Sequence, residues 1–294
     1  LLCGPVAIRL LATLCRETIR EDSPRLRSLM SVKAATPSMG GLLILAGFLA
    51  GSGWFTSTSD PLVQGAVVLA LGLAALGAWD DLSKRDVSRR GLSARAKLCG
   101  QTLLAVIVVH CFPPSLPSVS TASAVLLIVG LSNAVNLADG LDGLASGCAL
   151  IVLASVGVLA MLADAGSNSL ILIVSLAGAV LGFLWFNRHP ARVFMGDTGS
   201  LPLGGLLGWF IVGLDNDVTL LVACGVFLVE AASVVLQVGW FKWTGNRVFL
   251  CAPLHHHFQF LGWSERRIVR SFWIAGLACA VAALGIFLTH PTQP

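Results

Sequence analysis

Long apolar runs separated by short polar segments make up almost the whole chain. The runs are near-continuous, about 15–23 residues long, and show no alternation of apolar and polar positions. Such runs are typical of membrane-spanning helices, whereas strands of a membrane barrel alternate. They cover residues 1–15, 39–56, 62–79, 98–112, 121–138, 144–162, 169–186, 199–213, 218–241 and 269–289. The pattern predicts an all-α polytopic membrane protein with about ten transmembrane helices.

The charged residues predict the orientation of these helices. Apart from Arg9, every Lys and Arg lies in four segments, which precede the second run and follow the third, seventh and ninth. Basic residues are retained on the cytoplasmic side, so these segments are expected to be cytoplasmic. The opposite connections lack Lys and Arg and carry four acidic residues, Asp60, Asp164, Asp215 and Asp217. The acidic connection at about 136–147 falls on the cytoplasmic side.

The composition supports one membrane domain over residues 1–294 and no soluble domain. The chain is 56% hydrophobic, its mean hydropathy is +0.85, and only 12% of its residues are charged, where a soluble domain has roughly 25%. The first run is short, so we expect the first span to be incomplete. The eight cysteines form no CxxC pair, which disfavours a disulfide framework or a zinc site. The net charge of +4 does not favour a nucleic-acid partner.

A single carboxylate lies between two glycines where the eighth run begins. This is Asp197, in the stretch Gly196-Asp-Thr-Gly-Ser200, and a connector containing Asn187 and Phe194 precedes it. Glycine lets a backbone approach a ligand closely. A lone Asp in this position could equally cap the next helix, so the stretch alone favours neither interpretation.

Two adjacent carboxylates, Asp80 and Asp81, close the third run. They repel each other and need a cation. A solvated helix end is the simpler explanation, but Asp at a helix C-terminus opposes the macrodipole, so a functional role is favoured. A prenyl-diphosphate synthase motif does not match, because Lys84 occupies its fifth position and the chain has no second copy.

The richest polar stretch begins within the end of the fifth run and contains Asn133, Asn136, Asp139 and Asp142. The two asparagines are one turn apart and would share a helix face. Each aspartate precedes a glycine, as turns require. Four such groups at a membrane edge are costly unless they meet a ligand, and capping explains only one of them. A CDP-alcohol phosphotransferase motif does not match, because its Arg and further Asp are missing.

Three consecutive histidines, His255, His256 and His257, lie in the last long connection. They cannot share one helix face, so we expect a loop. Zinc is disfavoured because no partner motif exists, and hydrogen bonds to phosphate or sugar oxygens fit better.

Glu230 lies inside the ninth run and is functional or paired. A buried polar network with Ser233 and Gln237 explains it equally well.

Taken together, these motifs predict phosphate chemistry at the cytoplasmic membrane surface, because they combine carboxylates that suit Mg²⁺ with basic and histidine donors. They resemble the polyprenyl-phosphate N-acetylhexosamine-1-phosphate transferases, and most closely the phospho-N-acetylmuramoyl-pentapeptide transferase (MraY) type, to which the histidine triplet points. The resemblance runs from Lys33 through the last span. Its motifs are Thr36–Gly41, Asp80-Asp81, Gly91–Ser93 with Lys97, Asn133–Ala145, Phe194–Ser200 and Pro253–Phe258.

The resemblance implies transfer of phospho-MurNAc-pentapeptide from UDP-MurNAc-pentapeptide to undecaprenyl phosphate. The products are lipid I and UMP, the cofactor is Mg²⁺, and the pathway is peptidoglycan biosynthesis. It also implies a multi-pass protein of the bacterial inner (cytoplasmic) membrane, with an active-site cleft facing the cytoplasm. A homodimer is compatible with it, and nucleic acid is not an expected partner.

The resemblance also implies a site. Asp197 would bind Mg²⁺, and Asp80 and Asp81 would handle the lipid phosphate and are further metal candidates. The implied catalytic residues are Asp80, Asp81, Asp197 and His256. The implied substrate-binding residues are Lys33, Thr36, Lys84, Lys97, Asn133, Asn136, Asp139, Asp142, Asn187, Phe194, His255 and His257. Within this set Phe194 would face the uracil, and the choice between direct attack and a covalent intermediate stays open.

Two other functions remain as alternatives. The first is a sibling transferase that uses UDP-GlcNAc or another UDP-N-acetylhexosamine. The second is a membrane transporter, whose polar groups should lie at mid-membrane. Here all polar groups except Glu230 and its neighbours lie at one edge, which disfavours a transporter.

Overall fold

The fold is helical throughout the part of the chain that a computed structural model describes. Described are residues 4–14, 33, 36–56, 59–84, 91–113, 120–214 and 217–289. They form twelve helices: α1 (Gly4–Leu14), α2 (Gly41–Phe55), α3 (Pro61–Ser83), α4 (Ala94–Cys111), α5 (Thr121–Ala138), α6 (Leu144–Leu162), α7 (Ser167–Asn187), α8 (Asp197–Leu214), α9 (Asp217–Ala223), α10 (Gly225–Thr244), α11 (Leu254–Phe260) and α12 (Glu265–Thr289).

Seven of these helices are long and apolar enough to cross a membrane, namely α3, α4, α5, α6, α7, α10 and α12. Helices α1 and α2 are apolar but shorter. This confirms an all-α polytopic membrane protein. The ninth predicted run is not one helix, because it is interrupted at Cys224 between α9 and α10. The arginines between residues 15 and 32 and between 85 and 90, and Asp215, lie outside the described residues.

Helix α8 is the centre of the bundle, and its residues from Asp197 to Val212 are all buried. Glycines make this burial possible. A Cβ on Gly204 would overlap the carbonyl oxygen of Leu131 in α5, and a Cβ on Gly77 of α3 would overlap the backbone of Asp197. Small residues at such contacts let membrane helices pack backbone to backbone. The packing brings the end of α3 and the end of α5 to the start of α8.

The remaining helices surround this core. Helix α2 packs against α7 and α8, α10 packs against α5, and α12 packs against α6. At the far end of the bundle, the indole Nε1 of Trp209 donates a 2.9 Å hydrogen bond to the carbonyl oxygen of Leu62. That bond joins α8 to the start of α3, so the two helices are held together at both of their ends.

The close approach of α5 and α8 predicts an effect on stability. Gly204→Ala should lower the free energy of unfolding by about 1–3 kcal/mol, because its Cβ would meet the backbone of Leu131 and not a flexible side chain. Gly130→Ala on α5 is the matched control, since a Cβ there meets nothing within 4 Å. Thermal unfolding in detergent measures both. Equal Tm values for the two variants would contradict this packing.

Candidate active site

The start of α8 is fixed by a carboxylate from another helix. Asp81, near the end of α3, accepts hydrogen bonds from the backbone N–H of Asp197 (3.1 Å) and of Thr198 (2.9 Å). It also accepts one from the Thr198 hydroxyl (2.6 Å). The first N–H groups of a helix lack partners within the helix and carry positive partial charge. Asp81 therefore caps α8.

Asp197 is the first residue of α8, and its side chain makes a different set of contacts. Its Oδ1 accepts a hydrogen bond from Asn136 Nδ2 at 2.8 Å. Its Oδ2 is bound by Lys97 and lies 3.5 Å from Lys84 Nζ. Within the described residues, none of its side-chain hydrogen bonds goes to the α8 backbone. The capping interpretation of Asp197 therefore fails, and its carboxylate points at cations.

Asp80 completes the same cluster. Its Oδ2 lies 2.8 Å from both Lys84 Nζ and Lys97 Nζ. Its Oδ1 accepts a 2.6 Å hydrogen bond from the backbone N–H of Leu92. Two carboxylates and two ammonium groups thus form one network of ion pairs at this end of the bundle, with the Asp81 carboxylate beside it. The structure brings together Asp80, Asp197, Lys84 and Lys97, which the resemblance assigns to one site.

The three carboxylates could hold a divalent cation. Asp80, Asp81 and Asp197 each offer an oxygen, and these oxygens lie within 4.8 Å of one another. Hard cations prefer carboxylate oxygens. The hydroxyl of Ser38 is buried beside Gly196 and has no hydrogen-bond partner among the described residues. An unpartnered buried hydroxyl next to an oxygen-rich cluster fits a hydrated cation.

The two asparagines of α5 have different neighbours. Asn136 Nδ2 donates 2.8 Å hydrogen bonds to Asp197 and to the Ser200 hydroxyl, so it belongs to the cluster. Asn133 instead donates to Gln101 Oε1 in α4 (2.6 Å) and to its own helix backbone. The structure therefore does not bring Asn133 to the carboxylates. Gln101 is not predicted by any motif, although a glutamine inside an apolar run is a signal for such a buried contact.

Asp142 belongs to a second charged cluster. Its Oδ1 lies 2.6 Å from Lys33 Nζ, which also lies 2.6 Å from Glu265 Oε1. Its Oδ2 lies 3.1 Å from His189 Nδ1. Glu265 additionally accepts a 2.7 Å hydrogen bond from the backbone N–H of Asp142. Glu265 and His189 belong to none of the motifs above, and the only sequence signal for Glu265 is its acidic charge in the first turn of α12.

The side chain of Asn187 joins the start of α6 to the connector that precedes α8. Its Oδ1 accepts hydrogen bonds from the backbone N–H of Gly143 (3.1 Å) and from the Ser146 hydroxyl (2.7 Å). Its Nδ2 donates to the carbonyl of Val193 at 3.0 Å. The side chain is buried. Asn187 thus fixes the connector that leads to Phe194 against the start of α6, and the structure does not place it among the exposed groups.

Phe194 and Thr36 lie on two backbone segments that are bonded to each other. The backbone N–H of Phe194 donates to the carbonyl of Pro37, and its carbonyl accepts from the backbone N–H of Gly40, both at 2.8 Å. Thr36 and Phe194 are partly exposed. Asp139 ends α5 next to Asn136 and is also partly exposed. These three side chains remain accessible to a ligand.

The histidine triplet lies in a short helix, α11, and not in the predicted loop. His255 is fully buried. Its ring Nδ1 lies 3.1 Å from Glu230 Oε2, and its backbone N–H donates to Glu230 Oε1. The Ser233 hydroxyl bonds only the Glu230 backbone. Glu230 is therefore paired with His255 across α10 and α11.

His256 and His257 are partly exposed. His256 Nδ1 lies 2.7 Å from Gln259 Oε1, and His257 Nδ1 accepts a hydrogen bond from the backbone N–H of Leu250 at 3.2 Å. Burial lowers the pKa of His256 to about 4, and the adjacent His255 lowers it as well, against the hydrogen bond to Gln259. The His256 ring is therefore neutral at pH 7.

Helix α11 lies against the turn that carries Asp139 and Asp142. A Cβ on Gly140 would overlap the His255 ring. The turn is thus held by α11 on one side and, through Asp142, by Lys33 and Glu265 on the other. Direct contacts thus link α11 to the turn and, through Asn136, the start of the turn to the carboxylate cluster.

The chain is similar to known transferases over nearly its whole length. The model of the Glycosyl transferase family 4 matches residues 63–215. The phospho-N-acetylmuramoyl-pentapeptide-transferase of Geobacillus thermodenitrificans is 42% identical over 293 residues, which cover 92% of this chain and 88% of the relative. That of Desulforamulus reducens is 40% identical over 308 residues, covering 97% and 91%. That of Granulibacter bethesdensis is 41% identical over 322 residues, covering 96% and 88%. Because the similarity at this level spans both the bundle and the carboxylate cluster, the chain belongs to the phospho-N-acetylmuramoyl-pentapeptide-transferase family, within glycosyl transferase family 4.

Proposed function

We propose that this protein transfers phospho-MurNAc-pentapeptide from UDP-MurNAc-pentapeptide to undecaprenyl phosphate, giving lipid I and UMP for peptidoglycan biosynthesis. The observation that carries the proposal is the network of Asp80, Asp81 and Asp197 with Lys84 and Lys97 at the edge of an apolar bundle. A reaction between a water-soluble nucleotide and a membrane lipid has to take place at such an edge. The names of the relatives support the same activity.

Asp197 and Asp80 are the proposed Mg²⁺ ligands. Bound Mg²⁺ would neutralise charge on the diphosphate and on the departing UMP. Asp81 has a different role in this proposal, because both of its oxygens already accept hydrogen bonds from the start of α8. It positions Asp197 and is poorly placed to act as a base.

Lys84 and Lys97 are proposed to bind the phosphates. They neutralise Asp80 and Asp197, so a cation that takes over the carboxylates would release the ammonium groups to the anionic substrates. The lipid phosphate is already ionised near neutral pH, so it needs little help from a base. We therefore favour direct attack of a lipid phosphate oxygen on the donor diphosphate over a covalent enzyme intermediate.

The nucleotide is proposed to bind along the turn after α5. Asn136 and Asp139 would contact it on one side, and the partly exposed ring of Phe194 would stack on the uracil with Thr36 nearby. Asp142 and Lys33 form an ion pair with each other and would stabilise the turn after α5 without contacting the nucleotide. Asn133 and Asn187 would not contact the nucleotide. They would hold the surrounding helices in place through hydrogen bonds to Gln101 and to Gly143.

His256 and His257 are the proposed contacts to the diphosphate and the sugar. His256 directs Nδ1 at Gln259, which leaves Nε2 for a ligand, and an anion there would favour the protonated ring over the neutral one. His255 is buried and acts through Glu230. Its proposed role is to hold α11 in place for its two neighbours.

The membrane arrangement follows from the same proposal. We propose one domain with ten crossings, made by α1 to α8, by α9 with α10, and by α12. The carboxylate cluster would face the cytoplasm of a bacterial inner membrane, because the basic segments lie at this end.

Asp197→Asn tests the metal role. The variant keeps the shape of the side chain but loses its charge, so turnover should fall roughly 10²-fold or more, and the remaining activity should need more Mg²⁺. UMP release in detergent measures this. Asp60→Asn is the matched control at the opposite end of α3, where an amide oxygen can still accept from Leu62. Normal activity of well-folded Asp197→Asn at unchanged Mg²⁺ would disprove the metal role.

Donor choice tests the substrate assignment. Unpaired hydrogen-bonding groups in a site cost about 1–3 kcal/mol each, so UDP-MurNAc-pentapeptide should exceed UDP-GlcNAc by at least ~10²-fold in kcat/KM. UMP release with undecaprenyl phosphate and Mg²⁺ compares the two donors. His256→Ala should lower turnover of the preferred donor, whereas His110→Ala, an exposed histidine of α4, should not. Equal use of UDP-GlcNAc would assign the chain to the sibling transferases.

Cysteine labelling tests the orientation. In a background without native cysteines, an impermeant reagent added to intact spheroplasts should label Ser167→Cys but not Ser93→Cys or Asn246→Cys. All three positions are exposed in the structure, so each should react once the membrane is permeabilised. Labelling of position 93 before permeabilisation would invert the proposed topology.

A further inference from the structure

A basic cavity lies beside the carboxylate site, outside the bundle core. It has a volume of about 250 Å³ and is formed where α6 and α12 begin and α7 ends. Three arginines line it, Arg188, Arg266 and Arg270, and Trp273 forms its inner wall. None of the proposed metal ligands takes part in this cavity.

Among the residues that the structure describes, no carboxylate neutralises the arginines of this cavity. Arg188 stacks over the ring of Trp185 at 4.0 Å. None of the ion pairs among the described residues involves Arg266 or Arg270. The one carboxylate of the lining, Asp142, is already bound to Lys33. The cavity therefore offers guanidinium groups to an outside anion, and phosphate is the anion whose geometry they match best.

An apolar groove continues from the basic cavity along the same two helices. The groove has a volume of about 350 Å³. Helix α6 lines it with Leu150, Ala154 and Val158, and helix α12 lines it with Leu277 and Ala280, among others. The helices run in the same direction, since Gly147 lies against Trp273 and Gly276 against Ile151. The basic cavity and the groove therefore follow one another along α6 and α12, with the Trp273 ring packed on Gly147 between them, and the two together are called the channel below.

The length of the groove suits one membrane leaflet. From Leu277 to Leu284, which both line it, a helix rises about 10 Å at 1.5 Å per residue. Half of a bilayer hydrocarbon core is about 15 Å thick. Trp273 lies between the cavity and the groove, and its Nε1 donates a 3.2 Å hydrogen bond to the carbonyl of Gly143. Tryptophan is enriched at this depth, where headgroups meet acyl chains.

We infer that this channel binds an anionic phospholipid. Its phosphate is held by Arg188, Arg266 and Arg270, and one acyl chain lies between α6 and α12. Charge complementarity at one end and an apolar groove at the other select an anionic amphiphile, and basic pockets between membrane helices bind such headgroups. The lipid is distinct from the reacting lipid, because the channel does not include Asp80, Asp197 or the lysines that bind them.

A bound lipid would join the end of α7 to the start of α12. Arg188 follows α7, and Arg266 and Arg270 lie in the first two turns of α12. Glu265, at the first position of α12, holds the backbone of Asp142. The lipid is therefore expected to stabilise the turn that carries Asp139 and Asp142, whatever donor the enzyme uses.

The test measures lipid binding and needs no turnover. The delipidated full chain in detergent is titrated with dioleoylphosphatidylglycerol, and complex formation is followed by native mass spectrometry and by the rise in Tm. Arg266→Gln/Arg270→Gln should weaken binding at least about tenfold. Arg247→Gln/Arg267→Gln is the control with the same loss of charge, because Arg267 stacks on Trp263 at 4.0 Å and neither residue lines the cavity. It should bind like the unchanged protein.

A second variant tests the groove. Ala280→Phe fills the acyl-chain end and leaves the arginines in place, so it should weaken binding as well, and a normal lipid-free Tm shows that it is folded. Dioleoylphosphatidylcholine should bind at least about tenfold more weakly than the anionic lipid. Equal binding of both lipids, or unchanged binding by Arg266→Gln/Arg270→Gln, would overturn the inference. Displacement of phosphatidylglycerol by undecaprenyl phosphate would overturn the inference as well, because the channel would then bind the reacting lipid. A disulfide-linked dimer of Leu277→Cys that binds no phospholipid would also overturn it, because a second copy of the chain would then cover the groove.

Discussion

The arrangement of the site depends on the carboxylate of Asp81. Helix α8 begins inside the bundle, where its first N–H groups have no access to water, and unpaired N–H groups in such surroundings are costly. Asp81 bonds the N–H groups of Asp197 and Thr198, so α8 can start at this depth. The close contact of Gly77 with the backbone of Asp197 fixes the same two helices. Together they determine where the Asp197 carboxylate lies relative to Asp80.

The second constraint is charge balance. Asp80 and Asp197 are mostly buried and close together, so their repulsion would oppose folding if it were not compensated. Lys84 and Lys97 each contact both carboxylates. The lysines therefore compensate the two carboxylates within the fold itself. Charged groups that a fold holds in fixed positions need little reorganisation, and this is the main electrostatic contribution of an active site.

Hydropathy predicted the helices because it depends on local composition, whereas only the family resemblance implied that Asp80, Asp197, Lys84 and Lys97 belong to one site. The sequence patterns themselves did not predict which residues of distant elements contact each other. The spacing of Asn133 and Asn136 indicated a shared face, but which neighbour each one meets depends on how α4 and α8 pack. The burial of His255 depends likewise on Glu230 in another helix. The histidine triplet was expected in a loop because its residues cannot share a helix face, yet a short helix can direct them to three different environments.

The turn after α5 links the parts of the site that sequence alone left separate. At its start Asn136 binds Asp197, and at its end Asp142 is bound by Lys33 and by Glu265. The start of α12 is held both by packing, through the buried Ile268 and Val269, and by these polar contacts of Glu265. A displacement of Glu265 would therefore move the backbone of Asp142. Asn136, which binds the Asp197 carboxylate, lies only six residues before Asp142 and would be affected as well. Events on the membrane-facing side of α12 thus have a short physical route to the reacting groups.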